Sequence, residues 1–269
     1  MIWGALRRIT RSDPHRGHSV IFKSRGDKSM PSLACKSLLS VAALLALTGI
    51  ATAEPVKVKV FIGSMFEIGE NTGDRAGEYQ HWFDRYWKDG KTYEAPGAFA
   101  PVHCNDDGVC GSVLGMGKVN SSASMQAILL DPDFDFSQAY YLITGVAGTP
   151  PSRGTIGDVV WGSWLIDYDL GHRWTPEEGA EGEPVFMPRK GYETYRVHKL
   201  NPALLEWGMN LSKDVALKDS EDAQTYRKRY PDAAAQSAPT VKAGTHMTGD
   251  TFFHGPGLLE RGAIYRQAL

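Results

Sequence analysis

The sequence lacks an apolar run long enough to span a membrane. Its longest apolar stretch is Leu38–Leu47, whereas a bilayer-spanning helix needs about 20 apolar residues. The stretch follows Met30 and is followed by the small-residue sequence Ala51-Thr52-Ala53, which is the layout of a secretory signal peptide with its cleavage site. We therefore predict a signal peptide over residues 30–53, an exported protein that is periplasmic or secreted, and no stable membrane span after cleavage. An uncleaved membrane anchor is the alternative.

Basic residues are scarce beyond the predicted signal peptide. Positions 1–53 contain eight of the 29 lysines and arginines but two of the 31 acidic residues, so residues 54–269 carry 21 basic and 29 acidic side chains, a net charge of −8. This balance argues against nucleic acid as a partner, because nucleic-acid-binding domains derive most of their affinity from basic patches. We interpret the basic residues 1–29 as a non-native or disordered extension that an upstream start-site error would explain. A genuine basic extension is the alternative, and residues 54–269 form one domain with a substantial core.

Cysteine is rare: the chain has three. Cys35 lies inside the predicted signal peptide, which leaves Cys104 and Cys110 in the sequence CNDDGVC. An even pair in an exported protein favours a disulfide, and Asp107-Gly108 between them is a hairpin turn signal that brings the flanking residues together. Two free buried thiols are the alternative. His103 has no second pair of ligands at a suitable spacing, so we expect no zinc site.

The order of apolar segments predicts an α/β protein. An apolar strand begins at Val56, and a helix with aromatic residues at helical spacing begins at Gly77. A hairpin around the two cysteines leads into a helix with small residues, VNSSASMQAILLD, and strands follow in AYYLITGVAG and TIGDVVWGSWLIDYD. We predict an amphipathic helix in NPALLEWGMNLSKDVAL, a surface loop over Ala233–Pro239 and a last strand in THMTGDTFF. Together they predict a three-layer sandwich with a mixed central sheet.

Glycine is abundant, and it gathers where predicted strands end. Three such loops are Gly63-Ser64-Met65, Gly115-Met116-Gly117-Lys118 and Gly145-Val146-Ala147-Gly148. Glycine permits a close approach of the backbone, and successive backbone N–H groups can hold an anion or a sugar hydroxyl. The spacing matches neither a P-loop nor a dinucleotide-binding fingerprint. Each loop taken alone is better explained by a tight structural turn.

Taken in order, these segments resemble the nucleoside phosphorylase and nucleosidase superfamily. The segments are GMGKVNSSAS, YLITGVAGTPPSRGTIGDVV and MTGDTFF. Together with VKVFIGSMFEIGEN and PVHCNDDGVC they are similar, more narrowly, to the purine nucleoside permease family. The resemblance covers about Val56 to Gly257. It implies a nucleoside-phosphorylase-like fold, a purine nucleoside as the ligand, no cofactor, phosphate as a candidate co-substrate, and a homo-oligomer, because superfamily members often assemble.

The resemblance also implies roles for individual residues. The glycine loop facing the phosphate or ribose would comprise Gly115, Met116, Gly117 and Lys118. The base and ribose would be lined by Thr144, Gly145, Ala147 and Gly148. Phe252 would stack on the purine, while Ser64 and Met65 would close the sugar side. Asp158, in the sequence GDVV, is interpreted as the anchor of a turn.

One part of the superfamily pattern has no match here. The catalytic M-E-x-E-like segment and the acid or amide that addresses purine N7 should follow MTGDTFF, but neither occurs in GLLERGAIYRQAL. Relative to the family, we therefore expect a C-terminal truncation, and the sequence assigns no catalytic residue. Three hypotheses follow: an exported nucleoside-binding protein that assists uptake, a purine nucleosidase or phosphorylase that cleaves the N-glycosidic bond, and an inactive truncated paralogue.

Overall fold

The computed structural model describes residues 54–174, 177–178, 186–188, 191 and 193–252. The predicted extension and signal peptide, and the chain after Phe252 on which the expected truncation rests, lie outside this part. The strands are β1 (Val56–Lys57), β2 (Val60–Ser64), β3 (Lys91–Tyr93), β4 (Val102–Cys104), β5 (Val109–Val113), β6 (Phe134–Asp135), β7 (Tyr140–Ile143), β8 (Val159–Asp167), β9 (Gly171–Arg173), β10 (Phe186–Pro188), β11 (Val197–Lys199) and β12 (Val241–Thr248). The helices are α1 (Gln80–Tyr86), α2 (Lys118–Leu130), α3 (Glu193–Arg196), α4 (Pro202–Ser212), α5 (Glu221–Arg227) and α6 (Ala233–Gln236).

The larger sheet has five strands in the order β3-β4-β5-β2-β7. β2 is parallel to β5 and to β7, whereas β4 is antiparallel to β5 and to β3. The sheet is therefore mixed, as predicted. The carboxyl ends of β5, β2 and β7 lie side by side at one edge, because the three strands are parallel neighbours.

This sheet is the middle layer of three. Successive residues of β2 point to opposite faces, as in any strand. Phe61 packs in the cluster that contains Ile128 of α2, and Ile62 packs in the cluster that contains Tyr79 and Trp87 at the two ends of α1. Phe61 and Ile128 are fully buried. The predicted α/β class and its three layers are thus confirmed for this half of the protein.

The remaining long strands form a second sheet. β8 lies between β12, which is parallel to it, and β11, which is antiparallel. Helix α4 packs on this sheet through Gly208, where an added Cβ would lie 3.2 Å from the ring of Trp161. The Nε1 of Trp161 donates a hydrogen bond to the Ser212 hydroxyl at 2.9 Å. The strands expected in one central sheet are therefore divided between two mixed sheets.

The hairpin between β4 and β5 has the predicted disulfide. Cys104 and Cys110 are opposite each other in the antiparallel register, with their Cα atoms 4.1 Å apart and their sulfurs bonded. The turn between them depends on Gly108, whose φ of 80° is in the left-handed region. The Asn105 side chain accepts hydrogen bonds from the N–H groups of Asp107 and Val109.

Two local expectations were wrong. The strand predicted from Val56 is divided into β1 and β2, because β1 pairs with β6 whereas β2 pairs with β5 and β7. The predicted surface loop over Ala233–Pro239 begins instead with helix α6, in which Ala235 is buried. The Ala235 carbonyl accepts a hydrogen bond from the Thr155 hydroxyl at 2.6 Å, so this segment is held by a contact that is distant in sequence.

Candidate functional site at the carboxyl ends of the strands

The ends of β2 and β7 meet through two buried hydroxyl groups. Ser64 and Thr144 have their side-chain oxygens 3.2 Å apart, and their exposed fractions are 0% and 3%. Ser64 Oγ also donates to the Glu78 carbonyl at 3.4 Å. The two predicted site residues are therefore adjacent, and their hydroxyls are hydrogen-bonded within the protein. The two buried side chains lie beneath the region where β2 and β7 end, and we call them the floor of this region.

Glu78, which the sequence analysis did not single out, bridges the same two strand ends. One carboxylate oxygen accepts a hydrogen bond from the Met65 N–H at 2.8 Å, and the other accepts one from the Val146 N–H at 2.6 Å. Gly145 lies against this carboxylate, since an added Cβ would lie 2.9 Å from Oε1. A side chain from the segment before α1 thus fixes the loops that follow β2 and β7.

The environment of Glu78 opposes its ionisation. Burial raises the pKa of the Glu78 carboxyl, and this effect outweighs the hydrogen bonds from the backbone N–H groups of Val146 and Met65, which lower it. The negative charge of nearby Glu67 raises the pKa further. Desolvation is the dominant cause, so Glu78 is protonated at a higher pH than an exposed glutamate.

The loop after β5 bends sharply into helix α2. Gly115 and Gly117 both have a φ of 86°, a backbone conformation that residues other than glycine rarely adopt. An added Cβ on Gly115 would lie 2.9 Å from the Phe99 ring, so space as well as conformation requires glycine there. Met116 between them is 52% exposed. The loop presents the amino-terminal end of a 13-residue helix to the strand-end edge.

Lys118 joins the two sheets at this edge. Its Nζ contacts both carboxylate oxygens of Asp167, at the end of β8, at 2.9 and 2.8 Å. Its backbone N–H donates to the Asp250 carboxylate, just beyond β12. The Nζ also lies 3.8 Å from Asp250 Oδ2. The carboxyl ends of β8 and β12 therefore face that of β5, and five strand ends converge on one region.

A third aspartate supports this arrangement. Asp169 accepts hydrogen bonds from the N–H groups of Asp250 and Thr251, and the Arg173 guanidinium lies 3.3 Å from its other oxygen. Asp167 in turn accepts hydrogen bonds from the Asp169 N–H at 2.8 Å and the Leu170 N–H at 3.2 Å. The turn that carries Asp250 is thereby fixed relative to the end of β8.

The other residues expected at the site vary in exposure. Met65 is half-buried and packs against the core, Ala147 is half-buried, and Gly148 is exposed. Phe252, the last described residue, has a side chain that is 75% exposed. All of them follow the strand ends described above. The roles given to them remain predictions.

Asp158 anchors a turn, in line with its interpretation from the sequence. It is 2% exposed and accepts hydrogen bonds from the N–H groups of Thr155 at 2.9 Å and Thr240 at 2.8 Å. Lys242 Nζ lies 2.6 Å from Oδ2. Burial raises the pKa of the Asp158 carboxyl, but Lys242 and the two N–H groups outweigh that effect, and the net result is a pKa below the ordinary value.

Two further properties concern the described residues alone. In residues 54–252, apart from the undescribed positions among them, no group of histidine, cysteine, aspartate and glutamate side chains is arranged to hold a metal ion. None of the helices described is long and apolar enough to cross a bilayer.

These features define a mixed α/β protein in which five strands end at one region, and this is the edge at which open α/β sheets generally bind ligands. The family model for the purine nucleoside permease (NUP) matches residues 57–263. The chain therefore belongs to the purine nucleoside permease family. A protein of Schizosaccharomyces pombe named as a purine nucleoside permease is 30% identical over 244 residues, which cover 80% of this chain and 68% of the relative.

Two other comparisons are more distant. The purine nucleoside permease of Candida albicans is 26% identical over 217 residues, and the chain spans 50% of that protein's length. A solved structure from Weissella paramesenteroides, described as a methylthioadenosine nucleosidase, superposes with a TM-score of 0.41 at 15% identity. The superposition covers 76% of this chain and 71% of that one.

Proposed function

We propose that the protein binds purine nucleosides at the carboxyl ends of β2, β5, β7, β8 and β12 and takes part in their uptake. The observation that carries the proposal is the convergence of these five strand ends, which Lys118 joins through Asp167 and Asp250. Ligands of open α/β sheets bind at this edge. The family to which the chain belongs supports a purine nucleoside as that ligand.

The loops that follow the strand ends would supply the contacts. The buried hydroxyls of Ser64 and Thr144 shape the floor, so the contacts to the sugar fall to the chain around Met65 and to the Gly115–Lys118 loop. Gly145, Ala147 and Gly148 would line the base. Phe252 would stack on it, because an exposed aromatic ring offers a face to any purine.

Uptake by an exported protein is part of the same proposal. The disulfide between Cys104 and Cys110 supports it, because such bonds persist in oxidising compartments outside the cytosol. The predicted signal peptide over residues 30–53 gives the same location. The protein would bind the nucleoside outside the cytosol and hold it for uptake.

Cleavage of the N-glycosidic bond is a second candidate, favoured by Glu78. Its carboxyl lies beside the ends of β2 and β7 and has a raised pKa because it is partly buried. A carboxyl that keeps its proton closer to neutral pH can act as a general acid toward a leaving group. A purine leaving from an oxocarbenium-like sugar requires such a proton or an equivalent hydrogen bond.

The test is calorimetric titration of the purified protein with adenosine, inosine and guanosine, followed by chromatography of each mixture for free base. We expect saturable binding, and Phe252→Ala should weaken it about fivefold or more, because stacking on one aromatic ring contributes about 1–3 kcal/mol per base. Absence of binding by a folded protein for all three nucleosides would refute the proposal. Release of free base would show that the protein cleaves the N-glycosidic bond, and the hypothesis of a carrier without catalytic activity would then be wrong.

Tyr226→Ala is the matched control for Phe252→Ala. Tyr226 is a partly exposed aromatic residue of α5, at 45%. Helices α5 and α6 contact each other, and α6 accepts a hydrogen bond from Thr155 before the beginning of β8. The control therefore lies at the amino ends of β8 and β12, and its affinity for nucleosides should equal that of the unmodified protein.

A further inference from the structure

The backbone N–H groups at the strand ends are hydrogen-bonded to carboxylates of the protein itself. Glu78 accepts from Met65 after β2 and from Val146 after β7. Asp250 accepts from Lys118 at the beginning of α2. Backbone N–H groups in such loops, and at the first turn of a helix, are the donors that proteins use to hold phosphate. Here each of these three donors already faces a carboxylate oxygen.

The one lysine of the glycine loop is also engaged. Lys118 Nζ contacts both carboxylate oxygens of Asp167, and it also lies 3.8 Å from Asp250 Oδ2. Its side chain is 33% exposed. A phosphate that approached this loop would meet a lysine whose charge is already balanced. It would also meet the carboxylates of Asp250 and Asp169 beyond it.

Gly117 brings Asp250 close to the loop. An added Cβ on Gly117 would lie 2.9 Å from Asp250 Oδ1, so the carboxylate packs directly against the backbone of the glycine loop. The space in which an anion would contact the first turn of α2 is thus filled by a side chain of the protein. The Asp169 carboxylate accepts hydrogen bonds from the N–H groups of Asp250 and Thr251 and so fixes the turn that carries the Asp250 side chain.

We propose that Glu78 and Asp250 determine specificity by occupying the anion positions of the strand ends, so that the site excludes inorganic phosphate and phosphorylated nucleosides and accepts uncharged nucleosides. The inference rests on the proposed function for its ligand class. If phosphate is excluded, nucleotides should be poor ligands although they contain the same base and sugar as nucleosides. The inference also removes phosphate as a co-substrate, so a cleavage reaction at this site would use water.

Direct titration with inorganic phosphate at constant ionic strength tests the inference without a nucleoside. Three proteins form a graded series at position 250: the unmodified protein, Asp250→Asn and Asp250→Ala. Asparagine removes the charge and keeps an oxygen for the Lys118 N–H, whereas alanine removes both. Glu78→Gln is the corresponding change at the second position, and Asp106→Ala is the control, because Asp106 is a 97% exposed aspartate of the hairpin turn.

We expect only weak phosphate binding by the unmodified protein, with the same low affinity in Asp106→Ala. Affinity should rise about tenfold in Asp250→Asn and further in Asp250→Ala, since a unit charge at contact distance near a surface changes affinity by at least that factor. Equal phosphate affinity in all of these proteins would overturn the inference. So would phosphate binding by the unmodified protein that Asp250→Ala does not improve.

The same proteins separate this inference from the proposed function. In competition titrations, adenosine monophosphate should displace adenosine from Asp250→Ala at a concentration at least tenfold lower than from the unmodified protein. A gain in phosphate affinity without nucleoside binding would refute the proposed function alone. Nucleoside binding that is equally sensitive to phosphate in every variant would refute the exclusion alone. If Glu78→Gln does not fold, the position 250 series decides, because the Asp250 side chain is 47% exposed.

Discussion

Removing the Asp158 carboxylate should destabilise the second sheet strongly. In Asp158→Ala, the N–H groups of Thr155 and Thr240 lose their acceptor. Thr155 is buried, so its unpaired N–H costs about 1–3 kcal/mol. Thr240 is exposed, so its N–H can bond to water and costs less. Lys242 also loses its partner, but its side chain is 35% exposed and can turn toward water. We therefore expect the free energy of unfolding to fall by about 2 kcal/mol.

The assay is urea-induced unfolding followed by tryptophan fluorescence, with Asp158→Asn and Asp106→Ala measured beside it. Asparagine keeps one acceptor oxygen, so the stability lost in Asp158→Asn should be about half of that lost in Asp158→Ala. Asp106 and Lys91 form an exposed pair at 3.7 Å, and losing it should change stability by less than about 0.5 kcal/mol. A loss below about 1 kcal/mol for Asp158→Ala would show that this carboxylate does not hold β8 and β12 together.

Three further outcomes are expected from the first sheet. Gly111→Ala should cost about 3 kcal/mol in urea unfolding, because its Cβ would lie 2.2 Å from the Trp87 ring. Burial lowers the pKa of His103, so the stability it contributes is present above the unfolded pKa of about 6.5 and is lost as the pH falls below it, by up to about 1.4 kcal/mol per pH unit in thermal unfolding. His103→Gln should make this dependence shallower without abolishing it, because burial also lowers the pKa of His246. Reducing the Cys104–Cys110 disulfide should lower stability by about 2 kcal/mol for a sequence separation of six, measured with and without dithiothreitol.

The elements that could be predicted from the sequence are those with a local signal. The hairpin was predictable because Asp107-Gly108 favours a tight turn, and Gly108 has the left-handed conformation that this turn requires. Helix α2 and strands β7 and β8 were predictable from apolar residues at characteristic spacing. Helix α6 was missed, although its alanines have high helix propensity, because the neighbouring serine and prolines favoured a loop.

The site could be predicted only as far as its loops. Glycines after apolar runs indicated the strand ends at which we predicted the site. The parallel register of β5, β2 and β7 brings three of those ends together. Glu78 gave no such signal, because a glutamate between a glycine and an aromatic residue is common in any surface segment. Its hydrogen bond to Val146 joins residues 68 positions apart, and the one between Lys118 and Asp250 joins residues 132 apart. Only the fold brings those groups together.

The long-range contacts also explain why the strand ends form one site. Lys118 belongs to the helix that follows β5 of the first sheet, whereas in the second sheet Asp167 ends β8 and Asp250 follows β12. An ion pair that is partly exposed contributes little to stability. The main effect of these contacts is therefore to position the two sheets relative to each other. They hold the Gly115–Lys118 loop of the first sheet against the carboxyl ends of β8 and β12 of the second sheet. A ligand bound at this place would contact both sheets. Because Asp250 both contacts Lys118 across the two sheets and accepts the hydrogen bond of the Lys118 N–H, the alignment of the site and the proposed preference for uncharged ligands would share one structural cause.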